Sequence, residues 1–441
     1  MVFERIPAEK VDSTVLGDSL KLPCGRVAKN RFLKSAMTEK IFTWTDHPNT
    51  RGHPTQRIIS MYEKWGAGGF GVVVTGNIVC HPTMLEAAGN AVVTKENANS
   101  RLMDLHRKWT TGIKAYGSLA VAQITMGGRQ TPYAIDPEPY SASDVQLIDA
   151  MGINKFGKPK SLTVEQIKND IVPRFVYAAK FLKETGWDGV QIAAAHGYLL
   201  SQFISPTTNK RTDQYGGPIE NRMRIVLEVY EAIRKEIPKV YWIHRLKTED
   251  AVTSAALLDK AGFDFVEVSG GSMEDWGFKH REKESTRRRE AYFLEFSEKI
   301  RPMLKSSVLY VTGGFRTVKG MVDAVNSGAT QGIGLARPSA AEPDLPNKIL
   351  SHEAYSAPDS KFPQNEHVVS LLAASSQLWH MGSHSLAQVH DPTADLPDFS
   401  VPEEAAKYQK DLGAYFGDYI AKVQRDEPVY GTFNYVPYLT A

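Results

Sequence analysis

Two glycines and one arginine stand where a chain could bind a phosphate group. Gly313 and Gly314 end the apolar run SVLYVTGG just before a helical segment, and Arg337 ends the next apolar run, QGIGLAR. The N–H groups of a glycine turn, the start of a helix and a guanidinium all attract anions. The pattern therefore predicts an anion cradle at the ends of two consecutive strands.

Eight short apolar runs, with helical segments between them, are the elements that must position such a cradle. Each run is apolar nearly throughout, as expected of strands that are buried on both faces. The segments 164–186 and 219–237 carry apolar residues at three- and four-residue spacing, which is typical of helices packed on a sheet. The eight predicted strands are 31–38, 71–79, 119–125, 189–195, 240–247, 265–271, 307–314 and 331–337.

The alternation of strand and helix predicts an α/β fold with a parallel sheet. A doubly wound sheet is the rival architecture, but its G-x-G-x-x-G signature is missing after the first run. Eight units favour a single (β/α)8 TIM barrel with an N-terminal hairpin cap. The ends of strands seven and eight are the usual phosphate position in such barrels, which agrees with the glycine and arginine pattern.

Two insertions interrupt this rhythm, after the third and the sixth strand. Residues 126–162 are rich in Pro, Gly and Ser, and residues 272–290 are dense in charge of both signs. Segments that leave the C-terminal ends of barrel strands form the active-site face, so both loops are candidate substrate lids. It is equally open that the charged segment is only a solvated surface loop, because that is the more common role of a charge run.

The chain is predicted to divide into a barrel over residues 1–350 and a helical extension over 351–441. Helical patterns recur in the extension at 368–381 and 402–425. The extension is expected to pack on the barrel or at an interface between two copies, so a homodimer is one candidate assembly.

Composition argues against two classes of partner, which leaves a small-molecule substrate as the expected one. The 52 Lys and Arg residues balance 50 Asp and Glu residues, which argues against a nucleic-acid or membrane-surface partner. No run approaches eighteen apolar residues, and the two cysteines, Cys24 and Cys80, lack metal-ligand spacing. A cytoplasmic protein without a metal site is therefore expected.

The most distinctive run is AAAHGYLLSQFISPTTNKRTDQYGGPIENR at residues 193–222, at the end of the fourth predicted strand. It resembles the signature of the old yellow enzyme family, in which His-x-x-His or His-x-x-Asn precedes Gly-Tyr-Leu and an Asn-x-Arg-Thr-Asp-x-Tyr-Gly-Gly stretch. The resemblance covers residues 31–348 and is closest to the fungal-type branch. It implies FMN as the bound cofactor, with NADPH or NADH as the reductant.

The same resemblance implies a set of FMN-binding residues at the strand ends. In it, the Thr38 hydroxyl donates to the flavin carbonyl beside N5, and Arg245 places a positive charge near N1 and O2. Ala336 stands before Arg337 where the family usually has glycine. The implied set is Ala36, Met37, Thr38, Gly76, Gln123, Arg245, Gly313, Gly314, Ala336 and Arg337.

At the substrate site the resemblance implies that His196 binds a carbonyl oxygen and that Tyr198 is the proton donor. A phenol is protonated at neutral pH, so Tyr198 is competent as an acid. The family's first histidine is replaced by Ala193, and Met126 stands where many relatives have a histidine. The predicted substrate pocket is therefore roomier and less polar than the family norm, with one oxyanion donor instead of two.

Three explanations for Ala193 stay open at this point. It could be a natural adaptation of an ene reductase in which His196 suffices, or an engineered loss of a catalytic histidine. It could also mark a redox-neutral isomerase or cyclase that retains FMN. The predicted function is an FMN-dependent NAD(P)H oxidoreductase that reduces an activated C=C bond, with the redox-neutral enzyme and a catalytically impaired variant as alternatives.

Overall fold

The computed structural model describes residues 2–149, 152–237, 241–246, 250–269, 294–362 and 367–437, with the backbone alone for 241–246. Eight parallel strands form a closed barrel, which confirms the predicted (β/α)8 fold. Each strand pairs with its neighbours in chain order, and the eighth pairs with the first. The strands are β1 Phe32–Lys34, β2 Val72–Val79, β3 Leu119–Thr125, β4 Gly189–Ile192, β5 Tyr241–Leu246, β6 Phe265–Val268, β7 Val308–Thr312 and β8 Gly332–Leu335.

Helices alternate with these strands and continue beyond the barrel. Local signals set several of their ends: Asn99 caps α2 through a 2.8 Å bond from Leu102 N, and the left-handed Gly262 ends α5. The helices are α1 Gln56–Ala67, α2 Ser100–Lys114, α3 Val172–Glu184, α4 Arg224–Glu236, α5 Ala251–Ala261, α6 Leu294–Ile300, α7 Val318–Asn326, α8 Arg337–Ala341, α9 Leu345–Leu350, α10 His367–Met381 and α11 Pro402–Gln424.

Both long predicted helices are interrupted. The 164–186 segment contains a short helix, Val164–Gln166, and a π-helical turn, Ile167–Ile171, before α3. Pro173 lacks the N–H that would continue a regular α-helix through this turn, which accounts for the break. The 219–237 segment is divided at Met223 into the short helix Ile219–Arg222 and α4. Other short helices are Thr14–Gly17, Leu199–Ile204 and Leu386–Val389.

An antiparallel hairpin closes the N-terminal end of the barrel, as predicted. Its strands, Leu20–Lys21 and Val27–Ala28, place Leu20 and Ala28 in one apolar cluster with the inward-facing starts of the barrel strands. That cluster includes Leu33, Val72, Val121, Phe265 and Val308. Because this end is filled, a ligand can enter the barrel only from the C-terminal ends of the strands.

The two predicted insertions follow β3 and β6. The insertion after β3 forms two short strands, Tyr140–Ser141 and Lys160–Ser161, which pair with each other. The charged insertion at 272–290 lies outside the described residues.

The C-terminal extension contacts the barrel directly. Arg57 on α1 donates to Trp379 O at 2.8 Å, and Lys64 pairs with Asp395 at 3.2 Å. The extension has its own aromatic core, built around Tyr408 and Tyr435. Among the helices within the described ranges, none is long and apolar enough to cross a membrane.

Candidate active site

A cavity of about 500 Å³ opens at the C-terminal end of the barrel, away from the hairpin. Its walls come from the segments that follow the strands, from the β3 insertion and from the C-terminal extension. It brings together eight of the predicted site residues, namely Ala36, Met37, Thr38, Gln123, His196, Tyr198, Ala336 and Arg337. Parallel strands end at the same edge of the sheet, which is why residues 300 positions apart in sequence meet here.

Two residues expected at the substrate pocket lie in the protein interior instead of lining this cavity. Met126 is fully buried, and its carbonyl accepts from Leu199 N at 3.0 Å. Ala193 is 4% exposed and donates its N–H to Ile124 O at 3.1 Å. Both residues contribute packing and backbone hydrogen bonds beneath the site.

Gly76 lies against the segment that follows β1. Its N–H donates to Glu39 Oε1 at 2.9 Å, and a Cβ at this position would lie 2.1 Å from Glu39 Oε2. Only glycine fits so close an approach. Arg245 lies on β5, where its backbone is in register with Glu267 of β6.

The predicted anion cradle follows two paired strands. Gly313 and Gly314 have φ angles of 119° and 98°, which L side chains rarely adopt, and they come directly after β7. Thr312 of β7 pairs with Gly334 of β8, so Ala336 and Arg337 leave the sheet beside them. Because glycine has no side chain, a ligand can approach this backbone closely, and the helix that follows favours an anion near its N-terminus.

A chain of buried polar groups crosses the barrel interior and holds Gln123 at the cavity floor. Gln123 Nε2 donates to Gln191 Oε1, and Gln191 Nε2 donates to Glu267 Oε2 at 2.7 Å. The other oxygen of Glu267 accepts from Ser35 and, at 2.7 Å, from Thr312. Because each of these side chains has a partner, the hydrogen-bond series fixes the rotamer of Gln123. Sequence reasoning missed Gln191 and Glu267, which a pattern search reads as polar interruptions in apolar strands.

Asn77 and Glu86 are further cavity residues that sequence reasoning missed. Asn77 Nδ2 donates to Thr38 Oγ1 at 3.3 Å and to Glu86 Oε2 at 2.9 Å. Its Oδ1 is buried and has no hydrogen-bond partner within the described part of the chain. A buried acceptor without a partner is costly unless a ligand supplies the donor.

The backbone around His196 adopts an unusual conformation that other residues hold in place. His196 has a φ of 59° and Gly197 a φ of 79°. Gln130 Nε2 donates to His196 O at 2.5 Å, and Gln202 Nε2 donates to Gly197 O at 2.6 Å. A left-handed non-glycine residue costs free energy and clusters at functional sites. The position of His196 is thus enforced by the loop around it.

Ser269 directly follows β6 and places its Oγ 3.5 Å from His196 Nε2. It is 2% exposed, so it lies beneath the ring instead of at the surface. The run FVEVSGG could have indicated Ser269 as a site residue, because a hydroxyl at the C-terminal end of a barrel strand lies at the active-site face.

A buried ionisable cluster supports the segment that carries Thr38. Lys34 Nζ donates to Val74 O at 2.9 Å and to Tyr62 OH at 3.3 Å, and Tyr62 in turn donates to Glu39. Burial lowers the pKa of the Lys34 ammonium and raises the pKa of the Glu39 carboxyl. The cluster joins the end of β1 to α1 and to Gly76.

These groups fit FMN by their chemistry. The positive-φ glycines and the Arg337 side chain suit a phosphate, and the partnerless Asn77 Oδ1 suits a ring N–H. Thr38 and Gln123 add polar groups at a floor otherwise formed by Ala36 and Met37. Within the described residues no group of three or more His, Cys, Asp or Glu side chains is placed to hold a metal ion.

Comparisons with known sequences bear on the family of this chain. Residues 25–355 match the model of the NADH:flavin oxidoreductase / NADH oxidase family. An NADH-dependent flavin oxidoreductase of Aspergillus parasiticus is 39% identical over 394 residues, which are 85% of this chain and 87% of the relative. A second such protein, from Hypocrea jecorina, is 30% identical over 76% of this chain and 88% of its own length. Both organisms are fungi, which confirms the resemblance to the fungal-type branch.

Among solved structures, an old yellow enzyme homologue from Zymomonas mobilis superposes with a TM-score of 0.64. The match has 22% identity and covers 78% of this chain and 94% of that chain, so it bears on the fold alone. The family model and the fungal relatives lead to one conclusion. The chain belongs to the NADH:flavin oxidoreductase / NADH oxidase family and is a flavin-dependent oxidoreductase.

Proposed function

We propose that the protein reduces the C=C bond of an α,β-unsaturated carbonyl compound, with FMN as the cofactor and NADH as the reductant. The observation that carries the proposal is the convergence of His196 and Tyr198 with Thr38, Gln123 and Arg337 on one cavity. In the proposed reaction, the unsaturated carbonyl compound, NADH and H⁺ are converted to the saturated carbonyl compound and NAD⁺.

FMN would be held by the Gly313–Gly314 turn and Arg337 at its phosphate and by Thr38, Gln123 and Asn77 at its ring. Bound there, FMN would supply hydride transfer from the nicotinamide to the β-carbon of the alkene. Arg245 on β5 is assigned to the same ring, where a cation stabilises negative charge. Ala336 replaces a glycine beside Arg337 and is proposed to be tolerated.

His196 is assigned as the hydrogen-bond donor to the substrate carbonyl oxygen. Its backbone is fixed by Gln130, whose Nε2 donates to His196 O, so the residue needs little reorganisation when charge develops on the substrate oxygen. Ser269 Oγ lies 3.5 Å from Nε2 and is suited to fix the tautomer of the imidazole. Ala193 leaves His196 as the one donor of the family's pair.

Tyr198 is assigned as the acid that protonates the α-carbon. It lies at the cavity wall, two residues after His196, and precedes the first residue of the Leu199–Ile204 helix. Its backbone N–H donates to Ala195 O at 3.4 Å, and its carbonyl accepts from Gln202 N at 2.9 Å. The Tyr198 phenol thus lies on a fixed turn close in sequence to His196, the residue assigned to donate to the substrate carbonyl.

NADH is preferred to NADPH because both fungal relatives described above are named as NADH-dependent. The reductant and the substrate class are tested together by anaerobic turnover of 2-cyclohexenone with each nicotinamide. The proposal expects one cyclohexanone per NADH consumed and a higher kcat/KM for NADH than for NADPH. An isomer of 2-cyclohexenone formed without NADH consumption would identify a redox-neutral enzyme instead, and no turnover would identify an impaired site.

A further inference from the structure

The active-site cavity extends past the strand ends to a wall formed by the C-terminal extension. Tyr415, Phe416 and Tyr419 of α11 line it, and Tyr419 is a neighbour of the other two on the helix surface because it follows them by four and three residues. Earlier on the same helix, Tyr408 and Leu412 are buried in the core of the extension. The rings of Tyr415 and Phe416 contact this core on one side and line the cavity on the other, so the core of the extension supports the aromatic rings at the cavity.

Apolar residues stand on the facing sides of the cavity as well. Leu371 and Leu372 of α10 line one side, and Phe156 of the β3 insertion lines another. Leu371 is 37% exposed, a large fraction for a leucine on a helix that packs against the barrel. The distal half of the cavity thus combines these apolar side chains with polar residues such as Asn154 and Lys155, whereas its floor carries Thr38, Gln123 and His196.

Two polar contacts hold the wall against the β3 insertion. Tyr419 OH donates to Asn154 Oδ1 at 2.7 Å, and burial raises the pKa of Tyr419 to about 12, so the phenol stays a donor at neutral pH. Lys155 pairs with Asp426 at 2.7 Å just beyond the end of α11. These contacts fix the separation of the aromatic face from the strand ends.

We propose that Tyr415, Phe416 and Tyr419 form a specificity site for the part of the substrate far from its C=C bond, and that this part is a planar aryl or fused-ring group. The inference rests on the proposed function, since it takes the carbonyl end of the substrate to lie at His196. Aromatic side chains offer large, rigid apolar surfaces whose preferred contacts are with other rings. A small enone reaches the floor without touching this wall, whereas an aryl enone spans both.

The test compares 2-cyclohexenone with trans-chalcone, an enone that carries two aryl rings, on the FMN-loaded enzyme. The variants Phe416→Ala and Tyr419→Ala are expected to lower kcat/KM for trans-chalcone about tenfold, because each loses one aromatic contact with the substrate and tenfold corresponds to about 1.4 kcal/mol. They are expected to leave kcat/KM for 2-cyclohexenone within about twofold of the parent. Tyr116→Ala, at a ring that is 48% exposed and does not line the cavity, is the matched control and should change neither value.

Tyr419→Phe keeps the ring and loses only the hydrogen bond to Asn154. It guards against misfolding of the alanine variants and should retain the preference for trans-chalcone. Calorimetric binding of dihydrochalcone, which has no reducible C=C bond, gives a second readout without turnover. Its dissociation constant should rise about tenfold in the alanine variants.

The outcomes separate the two proposals. If neither enone is reduced but dihydrochalcone binding responds as expected, the specificity site stands and the proposed reaction fails. If both enones are reduced and the alanine variants change them equally or not at all, the specificity site is overturned and the reaction stands.

Discussion

The floor and the distal wall of the cavity differ in how the chain builds them. The floor consists of strand-end residues such as Thr38 and Gln123, which the closed barrel places at one edge. The wall consists of residues 368–378 and 415–431, which follow the barrel in sequence and are held by side-chain contacts. The floor is set by the fold, so it is suited to chemistry that relatives share. The wall is attached to the fold, so it is free to differ between relatives and to select substrates.

The largest effect of a substitution is expected at Tyr198, among the residues assigned to the chemistry. Tyr198→Phe should lower the rate of alkene reduction on the order of 10²–10⁴-fold, the usual worth of a positioned acid. Because the phenol does not take part in nicotinamide oxidation, the rate of flavin reduction by NADH should stay within about twofold. Stopped-flow measurement of the two half-reactions separates these values, with Tyr116→Phe as the control. Equal losses in both half-reactions would remove Tyr198 from its assigned role.

His196 tests the floor at its second reacting group. His196→Ala should lower kcat/KM for 2-cyclohexenone on the order of 10²–10³-fold, because the developing enolate loses its one remaining donor. His196→Asn should recover part of the activity, since asparagine tolerates the left-handed backbone and can donate a hydrogen bond. Steady-state kinetics with both variants checks this. An alanine variant with parental kcat/KM would contradict the assignment.

Both the floor and the wall depend on a folded barrel. A buried histidine remote from both provides a test of the stability of that barrel. His106 on α2 accepts from Trp187 Nε1 at 3.3 Å, and burial lowers its pKa to about 3. An unfolded histidine titrates near 6.5, so the unfolded state binds a proton below that pH while the folded state does not.

The contribution of His106 to the free energy of unfolding should therefore be nearly constant above about pH 7.5 and should decrease as the pH is lowered through 6.5, by about 2 kcal/mol at pH 5. Urea titrations at pH 7 and pH 5 measure this loss. His106→Gln, which can still accept from Trp187, should lose about 2 kcal/mol less than the parent between the two pH values. A loss of the same size in the variant would show that His106 is not the source.

The smallest effect is expected at the clasp between the wall and the β3 insertion. Lys155 and Asp426 have side chains that are 50% and 42% exposed, and pairs in such positions contribute little. Asp426→Asn should lower kcat/KM for trans-chalcone less than about fivefold and leave 2-cyclohexenone unchanged. A larger loss than that in Tyr419→Ala would place the specificity in the clasp instead of the aromatic face.

The sequence predicted the floor better than the wall, for a physical reason. Buried parallel strands are near-continuous apolar runs, so all eight could be found, and the residues that end them fall at the site by geometry. Gln191 and Glu267 were missed because they are polar within buried strands, and their partners become visible only when the barrel closes. Tyr415, Phe416 and Tyr419 were missed because helical spacing alone does not distinguish an aromatic stripe that faces a core from one that faces a cavity.

The most direct test of the proposed reaction follows the flavin itself. The purified yellow enzyme is reduced with NADH without oxygen and then mixed with 2-cyclohexenone in a stopped-flow instrument, while the absorbance of oxidised flavin is recorded. The proposal predicts rapid return of the oxidised spectrum, at a rate that rises with enone concentration, and one cyclohexanone per flavin. A flavin that stays reduced in the presence of the enone would contradict it.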